Sequence, residues 1–322
     1  MNGLSGKHWL FLVVAFIVAF RLWILLAAEA GIQFHDFDLL YYAAKHLLRG
    51  ENPYPIATTW YPWPLFYPMP AVLMVVPFTP LSLTTAQVLF DISSGVIFAY
   101  ALWRFKGPYA LLAVLSGSYL FAQRYSQFTP LLVAAALIPS LGGLLTVKPN
   151  IGLALWLARP NRSAVLGGLA LVALSFIVLP SWPLDWFRAL HEESTHLLPP
   201  VMRPFGFLLL LSALRWRTPE GRLFLALSLL PQNTQPHDLV PLALIPVNLT
   251  EMGIYLAGSW VALAATAKVA LALPPITPQM AVNQTVEQIW LPILLSVYLP
   301  MLWLVLRRKP EERPTEPSLS AS

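Results

Sequence analysis

Residues 36–54, DFDLLYYAAKHLLRGENPY, and residues 65–77, LFYPMPAVLMVVP, decide how this chain is read. They follow a first apolar run at 8–30. Within 38–49, Leu40, Ala43, Ala44, Leu47 and Leu48 recur at helical spacing, while Asp38, Tyr41, Lys45, His46 and Arg49 lie largely off that stripe. The pattern predicts an amphipathic helix lying in a membrane interface, not crossing it. Gly50 is placed to stop it, and Asn52-Pro53 opens a turn. Residues 60–70, WYPWPLFYPMP, hold four prolines and five aromatics and cannot be helical throughout. Such aromatics serve as an interfacial belt, as a stacking surface for a sugar ring, or as a lip over a site. Two carboxylates, a helix and an aromatic loop at a membrane surface point to chemistry where a lipid substrate meets water.

The rest of the chain agrees with a membrane setting. Of 322 residues, 57% are hydrophobic and 11% charged, against about 25% charged in a soluble domain. There is no cysteine, which excludes disulfides, thiolate metal sites and cysteine nucleophiles. The net charge of +5 sits in short clusters between apolar runs, so it implies no nucleic-acid partner. Runs at 8–30, 84–103, 163–180, 252–273 and 287–306 are long enough to cross a bilayer. The first is too long for a signal-peptide core and is expected to be a retained anchor. Shorter apolar runs lie between them, interrupted by Pro130, Pro139, Pro149, Pro231, Pro236, Pro241 and Pro246. Broken helices at membrane depth are tolerated only inside protein or along a wet cavity, so the breaks themselves predict a cavity.

The basic clusters Lys7, Arg104/Lys106, Arg159/Arg162, Arg215/Arg217/Arg222 and Arg307/Arg308/Lys309 fit one cytoplasmic side if residues 68–78 dip in and return. Both termini are then inside. The expected organisation is one membrane domain over 1–306, with a disordered cytoplasmic tail at 307–322.

Several residues could carry chemistry. Asp36 and Asp38 flank the predicted helix start, where aspartate is a favoured cap; a carboxylate at a cavity mouth can also act as a general base. The two roles are compatible if Asp38 caps and Asp36 reacts. Lys148, in TVKPN, lies eleven residues before Arg159, a helical reach of about 16 Å. It therefore sits deep, where a cation binds an anion or is paired. Arg124 and Arg203 fall with Lys148 on the non-cytoplasmic side and form a possible anion-binding set. His237 and Asp238 fit a proton relay, a metal pair, phosphate contacts or an ordinary hydrogen-bonded pair. Residues 181–200 read as a second interfacial helix. Its His191, Glu192, Glu193 and His196 depart from zinc-protease spacing and read as a solvated face. No metal and no cofactor are expected.

Asp36, Phe37, Tyr41, Ala43, Ala44, Leu47, Leu48, Gly50, Pro53, Tyr54, Phe66 and Pro68 fall in step with a pattern D-[FL]-x-x-Y-Y-x-A-A, L-L-x-G, P-Y, F-x-Y-P-P. Met69 replaces its second proline, and Pro70 comes one place late. That pattern resembles the first exoplasmic loop of glycosyltransferase family 87. These are bacterial membrane enzymes similar to polyprenol-phosphate-mannose-dependent mannosyltransferases. The stretch LTVKPNIGLALWLARPNRSAVLGG resembles the family's lysine–proline turn and basic loop, and PHD at 236–238 is similar to a His-bearing exoplasmic turn.

The resemblance implies an all-α polytopic membrane protein of the type C glycosyltransferase fold. Such a fold is a bundle of about 10–12 hydrophobic helices, several short or broken. Interfacial helices lie on its non-cytoplasmic side. It implies Asp36 as general base, with Asp38 at a variable position. Lys148, Arg124, Arg203 and His237 would meet the donor phosphate. Asp38, Tyr41, Tyr54, Tyr67 and Gln127 would line the substrate cavity. The implied partners are a polyprenyl-phosphate sugar, most simply a mannose, a glycolipid or glycan acceptor, and the bilayer of a bacterial plasma membrane. Two other classes fit the broken helices: a secondary transporter or lipid-linked flippase, and a non-catalytic homologue that scaffolds glycan assembly.

Overall fold

A computed structural model describes residues 6–27, 35–193, 197–272 and 278–308. Among the described residues the chain is all-helical, and its one extended pairing is an isolated bridge between Leu198 and Gln232. The helices in order are α1 (Gly6–Ala27), α2 (Asp36–Leu48), α3 (Pro53–Trp60), α4 (Met69–Val75), α5 (Leu83–Lys106), α6 (Gly117–Arg124) and α7 (Thr129–Leu137). After them come α8 (Pro149–Ala158), α9 (Arg162–Val178), α10 (Trp182–Glu193), α11 (Pro219–Leu229), α12 (Leu249–Ala272), α13 (Pro278–Ile293) and α14 (Leu299–Leu306). The tail expected to be disordered lies, from residue 309, outside the described residues.

Four helical stretches among the described residues are long and apolar enough to cross a bilayer: His8–Leu25, Leu83–Lys106, Leu249–Ala272 and Thr285–Leu306. Four of the five runs expected to cross coincide with them. The fifth, expected at 163–180, does not stand as a straight span: α9 has 17 residues and bends by 96° into α10. Pro180 explains the break, because the residue before a proline is driven out of helical geometry. Many shorter apolar runs adopt 3₁₀ geometry, at Pro108–Leu115, Pro139–Val147, Gly206–Arg215 and Pro236–Leu244. A 3₁₀ turn rises about 2.0 Å per residue against 1.5 Å in an α-helix, so these short runs reach further than their length suggests.

α1 and α5 pack antiparallel: Ile17 meets Gly95, and Arg21 pairs with Asp91 at 2.9 Å. This sets the C-terminal end of α1 and the start of α5 at one end of the bundle, beside α2. Basic residues gather at the opposite end. Lys106 donates to the Leu244 carbonyl, Arg308 to that of Ile245, Arg215 to that of Leu306, and Arg222 to those of Leu157 and Ala158. Arg307 and Arg308 both pair with the buried Glu251. These groups satisfy carbonyls that helix ends leave open.

α2 begins at Asp36, two residues before the start expected from its apolar stripe, with His35 as N-cap. It ends where expected: Gly50 has φ +78°, a left-handed conformation that glycine takes without strain. Beneath it an aromatic cluster joins four segments. Phe90 of α5 stands 4.8 Å from Phe37 and 4.7 Å from Phe128, and Phe78 packs edge-on against Phe37 at 5.8 Å. Residues 69–78 pack against α2, and beyond them the Leu81 carbonyl accepts from the Tyr41 hydroxyl at 2.6 Å. The helix α3 was not expected after Asn52; Asn52 caps it through the Tyr54 N–H, and Pro53 takes its first position. The proline-rich loop 61–68 is non-helical, as its composition requires.

Candidate functional site

Asp36 is half-buried in the first turn of α2. Its N–H donates to the Tyr125 carbonyl at 3.2 Å, and its Oδ2 accepts a hydrogen bond from the Tyr67 hydroxyl. Burial, and next the charge of Asp36, hold the Tyr67 phenol well above its ordinary pKa. It stays protonated and remains a donor. Two further tyrosines brace this pair: Tyr54 donates to the Tyr67 carbonyl at 3.1 Å, and Tyr61 to the His35 carbonyl at 2.8 Å. α10 clasps the same loop from above. Asn52 donates to Asp185 at 2.8 Å, and the Trp186 indole to the Phe66 carbonyl at 2.8 Å.

Asp38 has a different environment. It is buried, accepts the His35 N–H at 3.3 Å and lies 3.2 Å from His35 Nδ1. The Gln87 amide bonds its other oxygen. Asp38 therefore closes the start of α2, as its capping role anticipates, and both oxygens are engaged, by His35 and Gln87. Tyr41, also expected at a cavity wall, is buried with its hydroxyl on Leu81 and Lys45 over its ring at 4.8 Å. Neither residue joins the group around Asp36, because both hold α2 to its neighbours.

From Tyr67 a continuous chain of contacts leads inward. Its ring lies 5.9 Å from Phe128. The neighbouring Gln127 accepts from Lys148 Nζ at 3.5 Å, and Lys148 donates to Asp238 Oδ1 at 3.1 Å. Asp238 Oδ1 stands 3.3 Å from His237 Nε2, and the imidazole stacks on Phe121 at 5.9 Å. Lys148 caps the start of α8, ten residues long. It lies about 15 Å from the basic end, where Ala158 accepts from Arg222. The sequence places Lys148 at depth and leaves its partner open; the structure supplies Asp238.

His237 lies outside the candidate spans and is fully enclosed. Burial above all pushes its pKa down to about 4, so the imidazole is neutral. Burial alone would raise the Asp238 carboxyl, but Lys148 and then His237 outweigh it and hold it below its ordinary range. Both nitrogens of His237 and Oδ2 of Asp238 have no hydrogen-bond partner among the described residues.

The remaining expected cations are Arg203 and Arg124. Arg203 is buried, donates to Thr234 Oγ1 at 3.2 Å and faces the Trp290 ring at 6.0 Å, so it braces the loop that carries His237. Arg124 is half-buried at the end of α6, next to the Tyr125 that receives the Asp36 N–H. No carboxylate pairs with Arg124 among the described residues. Nor do three or more His, Asp or Glu side chains converge there in a metal-binding cluster. Of the second helix expected to lie in the interface, Glu192, Glu193 and His196 lie outside the described side chains.

Sequence reasoning missed the buried Arg21–Asp91 pair, which also receives the Ser126 hydroxyl at 2.8 Å. Ionisable residues inside apolar runs were its signal. The broken helices predict a wet cavity, and the structure has an apolar one, with Pro149 next to Lys148 in its wall. A cavity of about 450 Å³ runs between Pro68 and Pro70, Pro149 and Leu153, Gly168 and Val172, and the indoles of Trp182 and Trp186. Its wall is almost wholly apolar. On one side of it α9 approaches residues 139–147 through small residues: a Cβ on Gly142 would fall 2.5 Å from that of Ala164.

No family model, no curated protein and no solved structure matches the chain.

Proposed function

We propose that this protein is an integral membrane glycosyltransferase that moves a sugar, most simply a mannose, from a polyprenyl-phosphate donor to a lipid or glycan acceptor. One observation carries the proposal. A half-buried carboxylate held by Tyr67 and a buried polar cluster around Lys148 flank the loop that walls one end of an apolar groove. That combination suits a substrate with a polar head and a hydrocarbon chain.

In this scheme Asp36 takes the proton of the acceptor hydroxyl, and the oxygen attacks the anomeric carbon from the face opposite the lipid phosphate. A carbon–oxygen bond forms to the acceptor as the bond to the phosphate oxygen breaks. The electron pair leaves with the phosphate, so the anomeric configuration inverts. The phosphate already carries charge and needs no general acid, unlike the paired carboxylates of glycosidases. Of the cations expected at the phosphate, Lys148 and Arg203 already contact Asp238 and Thr234, which leaves Arg124 to stabilise the leaving charge. The basic residues gathered at the far end favour a cytoplasmic position for it, which puts Asp36 at the exterior face.

The test is transfer from radiolabelled polyprenyl-phosphate-mannose to a native lipid extract by the purified protein. Transfer by wild type and Asp38→Asn, lost in Asp36→Asn, is the expected result. Equal transfer by all three overturns the catalytic assignment. A wild type inert with mannose, glucose and galactose donors alike overturns the enzyme proposal and returns the transporter and scaffold classes.

A further inference from the structure

The helices α8 and α9 each give the apolar cavity one stripe of residues. Gly152, Leu153 and Trp156 of α8, and Val165, Leu169 and Val172 of α9, line it at helical spacing. Each stripe runs on to an arginine at the same end. Arg159, the C-cap of α8, follows Trp156 by three residues, and Arg162, the first residue of α9, precedes Val165 by three. That is the spacing of side-chain neighbours along a helix. The turn between the two helices is held by the Trp156 indole on the Asn161 carbonyl at 3.5 Å and by the Ala164 N–H on Asn161 Oδ1 at 2.7 Å. Both cations therefore stand where the groove reaches the basic end of the bundle.

These two arginines differ from the other cations of that end. Lys106, Arg215 and Arg222 are engaged by backbone carbonyls, and Arg307 and Arg308 by Glu251. Arg159 and Arg162 have no carboxylate partner among the described residues. Arg159 is half-buried and Arg162 exposed. Two such guanidinium forks match the oxygens of a phosphate, and the start of α9 adds the positive end of a helix dipole.

The wall of the groove specifies the rest of the ligand. Thr146 and the indoles of Trp156 and Trp186 already donate to the carbonyls of Gly143, Asn161 and Phe66. A polar chain would lose its hydration against such a wall, and a hydrocarbon chain has none to lose. Leu153, Val165 and Leu169 both line the groove and are exposed, so it opens sideways, on the apolar face of α9. From Ala164 to Val172 that helix rises about 12 Å, close to the roughly 15 Å of hydrocarbon in one leaflet. An acyl chain of one leaflet fits that length with its headgroup at the arginines.

We infer that the groove binds an anionic phospholipid of the surrounding bilayer, with an acyl chain between α8 and α9 and the headgroup phosphate on Arg159 and Arg162. The inference rests on the membrane setting and not on glycosyl transfer. The donor chain proposed above would approach the same groove from its opposite end, at Pro68, Trp182 and Trp186, so the two lipids would compete for it.

Native mass spectrometry of the purified full-length protein tests it, with dioleoylphosphatidylglycerol and dioleoylphosphatidylcholine titrated in the same detergent. Wild type is expected to retain one phosphatidylglycerol about tenfold more tightly than phosphatidylcholine, the factor for a charge-assisted hydrogen bond. Arg159→Gln/Arg162→Gln is expected to abolish that preference. Val165→Trp, which narrows the groove, is expected to weaken both lipids several-fold; Leu169→Trp, at a more exposed position, replaces it if it fails to fold. Equal affinity for the two lipids in wild type, or a preference that survives the double arginine variant, overturns the inference. Binding unchanged by the tryptophan variants overturns it too, because no chain then lies in the groove. Displacement of phosphatidylglycerol by glycerol 3-phosphate at millimolar concentration would reduce the site to a phosphate site and overturn the lipid as its ligand. Sugar transfer enters none of these readouts, so a failure of the enzyme proposal leaves the lipid site standing.

Discussion

Lys148 Nζ donates to Asp238 Oδ1 across 3.1 Å, joining the start of α8 to a loop 90 residues away, with Asp238 1% exposed. Breaking a buried pair from one side strands the other charge. Asp238→Ala is expected to destabilise the protein by about 3 kcal/mol. The double variant Lys148→Met/Asp238→Leu is expected to recover most of it. A double-mutant cycle on unfolding midpoints in detergent measures the coupling. Additive losses would show that the two groups do not act as a pair.

The Tyr67 hydroxyl holds Asp36 by one hydrogen bond, while its ring packs on Phe128. Tyr67→Phe keeps the ring and removes the bond. If Asp36 is the base, kcat is expected to fall about 10- to 100-fold, as for a lost orienting contact. The donor KM should stay close to wild type. A rise in KM at constant kcat would instead make Tyr67 a binding residue.

His237 has its pKa depressed to about 4 by burial, against about 6.5 when the chain is unfolded. The unfolded chain therefore binds the extra proton first as pH falls. Stability is expected to be unaffected by this group above pH 6.5 and to decline between about 6.5 and 4. His237→Gln should flatten that part of the profile, read by unfolding midpoints across pH. A profile unchanged by the substitution would show that His237 titrates alike folded and unfolded.

Val172 lines the apolar groove on α9. Val172→Trp is expected to narrow it and to raise KM for a long-chain polyprenyl donor several-fold. A short-chain analogue, which does not fill the groove, should be used as well as before. An equal effect on both donors would remove the groove from the binding path.

Glu251 is 1% exposed and takes both Arg307 and Arg308, whose own exposure of 42% and 19% screens them in part. Glu251→Gln is expected to cost about 2 kcal/mol, below the value for a fully buried pair. Limited proteolysis should then cut after α14 sooner than in wild type. Unchanged cleavage would mean that other contacts hold that end.

How far the sequence could be read depended on the range of each interaction. The apolar runs located the four described helices long and apolar enough to cross a bilayer, because that is a local demand on length and hydropathy. The periodicity of 38–49 and the glycine at 50 located α2, for the same local reason. The division of labour between Asp36 and Asp38 was legible as far as capping goes, since a cap needs only residues within one turn. The bend after α9 has its signal in Pro180, which ends the run expected to cross at 163–180.

Tertiary structure alone decided the rest. Which carboxylate pairs with Lys148, which tyrosine holds Asp36 and where the groove opens all depend on side chains tens of residues apart. Nothing in local composition ranks Asp238 above Asp185 as a partner for Lys148, because both are lone aspartates beside prolines and apolar runs. Packing ranks them. It places Asp185 against Asn52 at 2.8 Å and Asp238 within 3.1 Å of Lys148. Composition and periodicity determined where helices long and apolar enough to cross a membrane lie and where the amphipathic α2 lies; only the folding of distant segments onto one another determined which polar groups face the same space.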